Sequence, residues 1–184
     1  MTESVTRTAP EVRGADAEEF RAVMRHFPTG VTVLTTIGPA GPHGMTANAV
    51  MSLSLHPPTA LAAVNHETNT YAILRNASSF AINFLAADQE ELAVLFARSN
   101  PREDPFDRVA WRPSPETGDP VLAASVAVLE CRLEQRIPVA DHSLMVGAVA
   151  GSYIHRPDAA PLVFTRGGFR TVTGSPLQHE EKDA

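Results

Sequence analysis

The chain has 184 residues, a formal net charge of −6, and 43% hydrophobic against 20% charged residues. That length suits one domain with its own core, and the acidic balance excludes nucleic acid as the main partner, because phosphate binding needs a basic face. A lone cysteine, Cys131, excludes a disulfide framework or a thiolate cluster, and Lys182, the only lysine, leaves none for a Schiff base or phosphate loop in the core.

In chain order, residues 1–15 are polar, mix both charges and lack a period, which predicts a disordered arm. The domain is expected over 16–173, followed by a polar tail at 174–184. Asp16 has the side chain of an N-cap with Glu19 in capping-box register, and Phe20, Val23, Met24 and Phe27 follow at helical spacing until Pro28 and Gly30. Residues 31–37 are β-branched apart from Leu34 and predict a strand. Residues 38–44, rich in Gly and Pro, predict a hairpin loop. Further strands are expected at 45–55 and 59–65, on either side of Pro57-Pro58, then a short helix at 70–75 and a buried strand at 80–85. Asp88 and Glu91 suit a second capping box, ahead of Leu92, Leu95 and Phe96 on an apolar face. Residues 99–119 predict a long surface loop anchored by Phe106 and Trp111. Three β-like runs close the chain, at 121–139, 143–153 and 162–172, the last with a kink at Gly167-Gly168. Many strands with two or three inserted helices, and no βαβ alternation, point to a mostly β fold, a barrel with helical decoration. No run approaches a membrane span, and the first residues hold no apolar leader, so a cytoplasmic protein with no membrane partner is expected.

Motifs for the common chemistries are missing. Gly38, Gly41 and Gly44 are interrupted by Pro39 and Pro42, so they make no dinucleotide fingerprint. There is no G-x-S-x-G elbow and no Walker sequence. The histidines His26, His43, His56, His66, His142, His155 and His179 are scattered without ligand spacing, so no metal is expected. Asp141 and His142 are adjacent, and on a strand would point to opposite faces, which is poor geometry for a carboxylate orienting an imidazole. Cys131, in a strand-like run, suits a structural thiol. The residues therefore nominate no catalytic nucleophile, metal or acid–base pair. Thr46-Ala47-Asn48-Ala49 remains, where a hydroxyl and an amide alternate with alanines that leave a flat group room to approach the backbone; an ordinary strand edge has the same composition.

Taken in order, several segments resemble a known family. They are Phe27-Pro28-Thr29-Gly30-Val31, Gly44-Met45-Thr46-Ala47-Asn48, Ser52-Leu53-Ser54-Leu55-His56-Pro57-Pro58 and Phe80-Ala81-Ile82-Asn83-Phe84-Leu85. Gln89, Leu92 and Phe96-Ala97 follow, then Asp141-His142-Ser143-Leu144 before Gly147, and Pro161-Leu162-Val163-Phe164 with Gly167 and Phe169. Over about residues 17–172 the chain resembles the short-chain flavin reductases that serve two-component flavin-dependent monooxygenases. The resemblance implies an FMN-binding split β-barrel, usually a homodimer, that reduces FMN or FAD with NADH or NADPH and releases diffusible reduced flavin to a separate oxygenase. It implies a flavin bed along Thr46, Ala47, Asn48 and Ala49 and along Ser52, Leu53 and Ser54, with Val64, Asn65, Ala81, Ile82 and Asn83 also lining it. His142 and Phe169 are the implied nicotinamide contacts. With no core lysine, the flavin phosphate would need backbone amides, arginines, or hydroxyls such as Thr68 and Thr70, the latter opening a helix. Ala140 stands where many members carry glycine, Ala148 where many carry glutamate, and Ala49 where serine is common. Hydride transfer is chemistry of the cofactors, so the expected service is positioning, with no catalytic side chain. Two rivals share the barrel: a pyridoxamine-phosphate-oxidase-like enzyme, which the missing basic phosphate site disfavours, and a non-catalytic flavin- or haem-binding protein.

Overall fold

Alternation decides which segments become strands. In Pro58–Asn65, Ala60, Ala62 and Val64 are buried while the residues between them are partly exposed, the two-residue period of a strand with one face on a core. The computed structural model describes Gly14, residues 16–98 and residues 104–172. Apart from Gly14, the expected arm lies outside the described residues, as does the expected tail.

The elements are α1 (Ala17–Met24), β1 (Thr29–Gly30), β2 (Thr32–Gly38), β3 (Gly41–Ala47), β4 (Val50–Leu55), β5 (Pro58–Asn65), α2 (Asn69–Leu74) and β6 (Ser79–Phe84). A 3-10 turn (Ala87–Gln89) leads into α3 (Glu90–Phe96), and a second 3-10 turn (Pro105–Asp107) precedes β7 (Trp111–Pro113) and β8 (Pro120–Leu122). Two long strands follow, β9 (Ala127–Val139) and β10 (His142–Ile154), then β11 (Leu162–Thr165) and β12 (Gly168–Thr171). Among the described residues no helix is long and apolar enough to cross a membrane.

Seven strands form one antiparallel sheet in the order β3-β2-β6-β9-β10-β5-β4. Its two edges, β3 and β4, are consecutive in the chain and joined only by Asn48 and Ala49. A sheet whose edges share a two-residue link has to curl until they approach, yet they are not hydrogen-bonded to each other. This is a split β-barrel. Leu34, Ala62, Val64, Phe80, Ile82, Cys131 and Met145 fill it from several strands, all fully buried. The small side chains on β5 make room for the large ones opposite. A second core (Val31, Leu85, Phe96, Phe106, Leu162 and neighbours) joins α3 to β11, and the β7–β8 hairpin covers Ala81 and Val128. That hairpin's turn is tied down by Glu130, which accepts from the Glu116 and Thr117 amides at 2.9 and 3.0 Å.

Several expectations are corrected. The 38–44 segment is not a loop: Pro39 and Ala40 make a two-residue turn and β3 begins at Gly41, held by its ladder with β2 despite its Gly and Pro content. The expected strand at 45–55 breaks at Asn48-Ala49. Asp16 occupies the N-cap of α1, but its side chain makes no capping bond. Asp88 caps nothing and instead pairs with Arg156 through bonds of 3.0 and 2.7 Å, while Gln89 Oε1 accepts from the Ala86 amide. The 99–119 region holds a 3-10 turn and β7, and Phe106 packs edge-on against both Phe96 and Trp111. Burial, followed by the carboxylates of Asp119 and Glu130, pushes the Cys131 thiol up to about 12, which makes it an inert part of the core.

Candidate functional site

The start of α2 is dictated by local chemistry. Asn65 Oδ1 accepts from the Glu67 amide at 2.7 Å, and Thr68 Oγ1 accepts from the Tyr71 amide at 3.1 Å, so Thr68 is the N-cap. This places the turn beside β3, and between them opens a cleft of about 640 Å³, closed on its far side by the end of α3 and by Asp104, Pro105 and Phe106. Met45, Phe96 and Phe106 give it apolar walls; Thr46, Asn65, Thr68, Thr70, His43 and Arg98 give it polar ones. The volume lies within the range of small-molecule and cofactor sites.

Four of the expected residues, Thr46, Asn65, Thr68 and Thr70, therefore meet at one cleft. Their hydroxyls are partly spent. Thr46 Oγ1 donates to Ala93 O at 2.6 Å and Thr68 Oγ1 donates to Asn65 O at 2.8 Å. Each hydroxyl has a single hydrogen, so neither has one left for a phosphate, which only accepts. Thr70 is buried, and its Oγ1 lies 3.1 Å from His43 Nε2. Burial lowers the His43 pKa against the pull of Asp104, so this ring is neutral at neutral pH. Among the described residues Arg98 is the one arginine lining the cleft, and Glu67 and Asp104 line it too.

His142 opens β10, where its ladder partner on β5 is Asn65, so it sits beside the cleft wall and on the same face as Asn65. Asp141 is not on the strand. It lies in the turn after β9, where Ala140 adopts a left-handed φ of 51°. That corrects the opposite-faces argument: the carboxylate reaches back, and Asp141 Oδ1 lies 2.8 Å from His142 Nδ1. The His66 amide donates to Asp141 O at 2.9 Å, His66 Nε2 lies 2.9 Å from Ser143 Oγ, and the His66 ring packs on Tyr71 with centroids 4.5 Å apart.

Other expected residues are not brought to the cleft. Ala47, Val64 and Ile82 face the barrel interior. Ala81 and Asn83 lie on the other side of β6, beneath the β7–β8 hairpin, where Asn83 donates to Val33 O and Thr35 Oγ1 at 3.1 and 3.0 Å and accepts from the Leu122 amide at 2.8 Å. Those five side chains are buried and do not line the cleft. Asn48, Ala49, Ser52 and Leu53 are exposed along the open edge that continues from Thr46, and Ser54 accepts from the His56 amide at 3.1 Å. Phe169 stacks edge-on against Phe164, 5.5 Å away, on a different sheet from His142, and no ring contact or hydrogen bond joins the two. Sequence reasoning missed His43 and His66 as cleft neighbours, while Arg98, one of the loop arginines Arg98, Arg102, Arg108 and Arg112 that the sequence offers to a nucleotide phosphate, does line the cleft. Reading 38–44 as a strand would have exposed His43, three residues before Thr46.

Comparison with known proteins gives a consistent result. The family described as "Flavin reductase like domain" matches residues 24–173. A flavin reductase (NADH) from Kitasatospora aureofaciens is 34% identical, covering 92% of this chain and 87% of the relative. The solved structure of the Streptomyces globisporus C-1027 NADH:FAD oxidoreductase superposes with a TM-score of 0.81 at 36% identity, covering 91% of this chain and 99% of that one. The flavin reductase component of a bacterial two-component tryptophan halogenase superposes with a TM-score of 0.79, also at 36% identity, over 87% of this chain and 100% of that one.

Proposed function

The chain belongs to the flavin reductase like family, and from that premise we propose that it is an NAD(P)H-dependent flavin reductase, reducing FMN or FAD for a separate oxygenase component. The observation that carries the reading is the extent of the likeness, which spans nearly the whole of this chain and of relatives named for NADH-dependent flavin reduction.

The cleft suits such a group. Apolar walls at Met45, Phe96 and Phe106 accept a flat ring, and the amide of Asn65 and the guanidinium of Arg98 supply donors that the threonines do not. A flavin held there would supply the chemistry, as the acceptor for the hydride of a reduced nicotinamide. The chain's own residues hold and exclude: Asn65 and Arg98 bind polar edges, the exposed Asn48–Ala49 link leaves room for approach to the backbone, and His142 contacts the nicotinamide. The account needs no side chain to move a proton for the hydride itself, only close alignment of two rings away from water. Among the described residues the cleft sets one arginine against two carboxylates, a poor seat for a 2′-phosphate, and the relatives are named for NADH, so NADH is the expected reductant. The need for that nucleotide suits a cytoplasmic setting.

A second copy of the chain completes the molecule in this reading. All of α1 is exposed, with Phe20 at 62% and Val23 at 69%, and β4 adds Met51, Leu53 and Leu55 on the sheet edge next to the Asn48–Ala49 link. A homodimer would cover both. The test of the function is the matrix of catalytic efficiencies for NADH and NADPH against free FMN and FAD. The reading expects flavin-dependent NADH oxidation over many turnovers, and oxidation that ignores added flavin would overturn it.

A further inference from the structure

We propose that Asp141 is a positioning residue, whose carboxylate holds His142 as the Nδ1–H tautomer so that Nε2 offers a lone pair to the carboxamide N–H of the nicotinamide. The inference rests on the placement of His142 beside the nicotinamide given above.

The geometry is specific. Asp141 Oδ1 and His142 Nδ1 are 2.8 Å apart, and a carboxylate can only accept, so the shared hydrogen belongs to Nδ1. The bond to His142 holds the Asp141 carboxyl below its ordinary value, which keeps it an acceptor at neutral pH. The backbone that aims it is fixed separately. Ala140 turns the chain with its left-handed φ, and Asp141 O accepts from the His66 amide at 2.9 Å. His66 is itself pinned by Ser143 and Tyr71. Among the described residues His142 Nε2 has no partner. A neutral ring with hydrogen on Nδ1 can only accept at Nε2, and the carboxamide is the part of the nicotinamide ring system that donates N–H.

Two readouts test this. The first is the ¹⁵N signature of the His142 ring in the ligand-free protein at about pH 9, well above the ordinary imidazole range. Nδ1–H is expected in the wild type and a mixture of tautomers in Asp141→Ala, which keeps the backbone carbonyl used by His66. The second is the KM for NADH against that for its reduced 3-acetylpyridine analogue, which has no carboxamide donor. The wild type should favour NADH by about fivefold, the worth of one neutral hydrogen bond. Asp141→Ala and His142→Ala should each raise the KM for NADH by about that factor and lose the preference, while kcat changes less. Asp141→Asn should fall between, since its amide offers both an acceptor and a competing donor. An Nε2–H wild-type ring, or a preference that survives in Asp141→Ala, overturns the proposal. A tautomer that shifts in Asp141→Ala while neither variant alters the KM overturns it at a different point, showing that Asp141 orients the ring but that the nicotinamide lies elsewhere.

Discussion

Ala140 carries a backbone angle that its own side chain resists. At φ 51° a Cβ crowds the neighbouring carbonyl, and glycine, which many members of the family have here, avoids the clash. Ala140→Gly should therefore stabilise the fold by about 0.5–1 kcal/mol, the relief of strain being partly offset by the greater freedom of glycine in the unfolded chain. Urea denaturation measures this, and a loss of stability would mean the turn is not strained. Asn83 is the opposite case, a polar residue whose value is structural. Asn83→Ala leaves the Leu122 amide without its acceptor in a sealed environment and should cost about 2–3 kcal/mol, with flavin affinity of the folded variant unchanged. Weaker flavin binding without lost stability would return Asn83 to the site. These residues also show what a sequence discloses. Thr46 and Asn65 are legible through the family resemblance, and Thr68 and Thr70 as hydroxyls at the start of a helix. The Asp141–His142 contact is not, because it depends on Asp141 leaving the strand one residue early, which only the sign of one backbone angle decides.

Elements are legible where a period runs long enough, but a period names a face and not what covers it. Phe20, Val23 and Met24 declare an amphipathic α1, which stops at Met24 and leaves Phe27 outside the helix, and nothing in their spacing shows that this face would lie bare on the single chain. Gly41–Ala47 hides as a strand because its glycines and prolines advertise a turn, while its register against β2 is a tertiary fact. Gly44 and Gly147 are there for close approach. A Cβ on Gly147 would stand 2.7 Å from the Cβ of Cys131 and 2.9 Å from the Phe80 ring, inside the barrel where β9 and β10 meet. Gly147→Ala should cost about 1–3 kcal/mol through overpacking, and Phe80→Leu should recover part of that in the double variant. Strictly additive losses in the melting curves would show that the crowding is not between these side chains.

At the scale of the whole molecule, the barrel supplies a rigid frame, and the cleft, the open β3–β4 edge and His142 gather at its rim. An eight-residue helix with no buried residue does not hold itself together in water, so α1 needs a partner, and a second copy is the proposed one. Val23→Glu on its exposed face should convert a particle of about twice the 19.7 kDa chain mass into a monomer and lower flavin reduction with it. A wild type that sediments as an active monomer would remove the dimer from the account. The central claim, that this chain passes hydride from a nicotinamide to flavin it then releases, is tested most directly by anaerobic mixing of catalytic protein with NADH and a large excess of free FMN or FAD, followed by the visible absorbance of the flavin. The account predicts that the whole flavin pool bleaches through many turnovers, and bleaching that stops at one flavin per chain, or never begins, would contradict it.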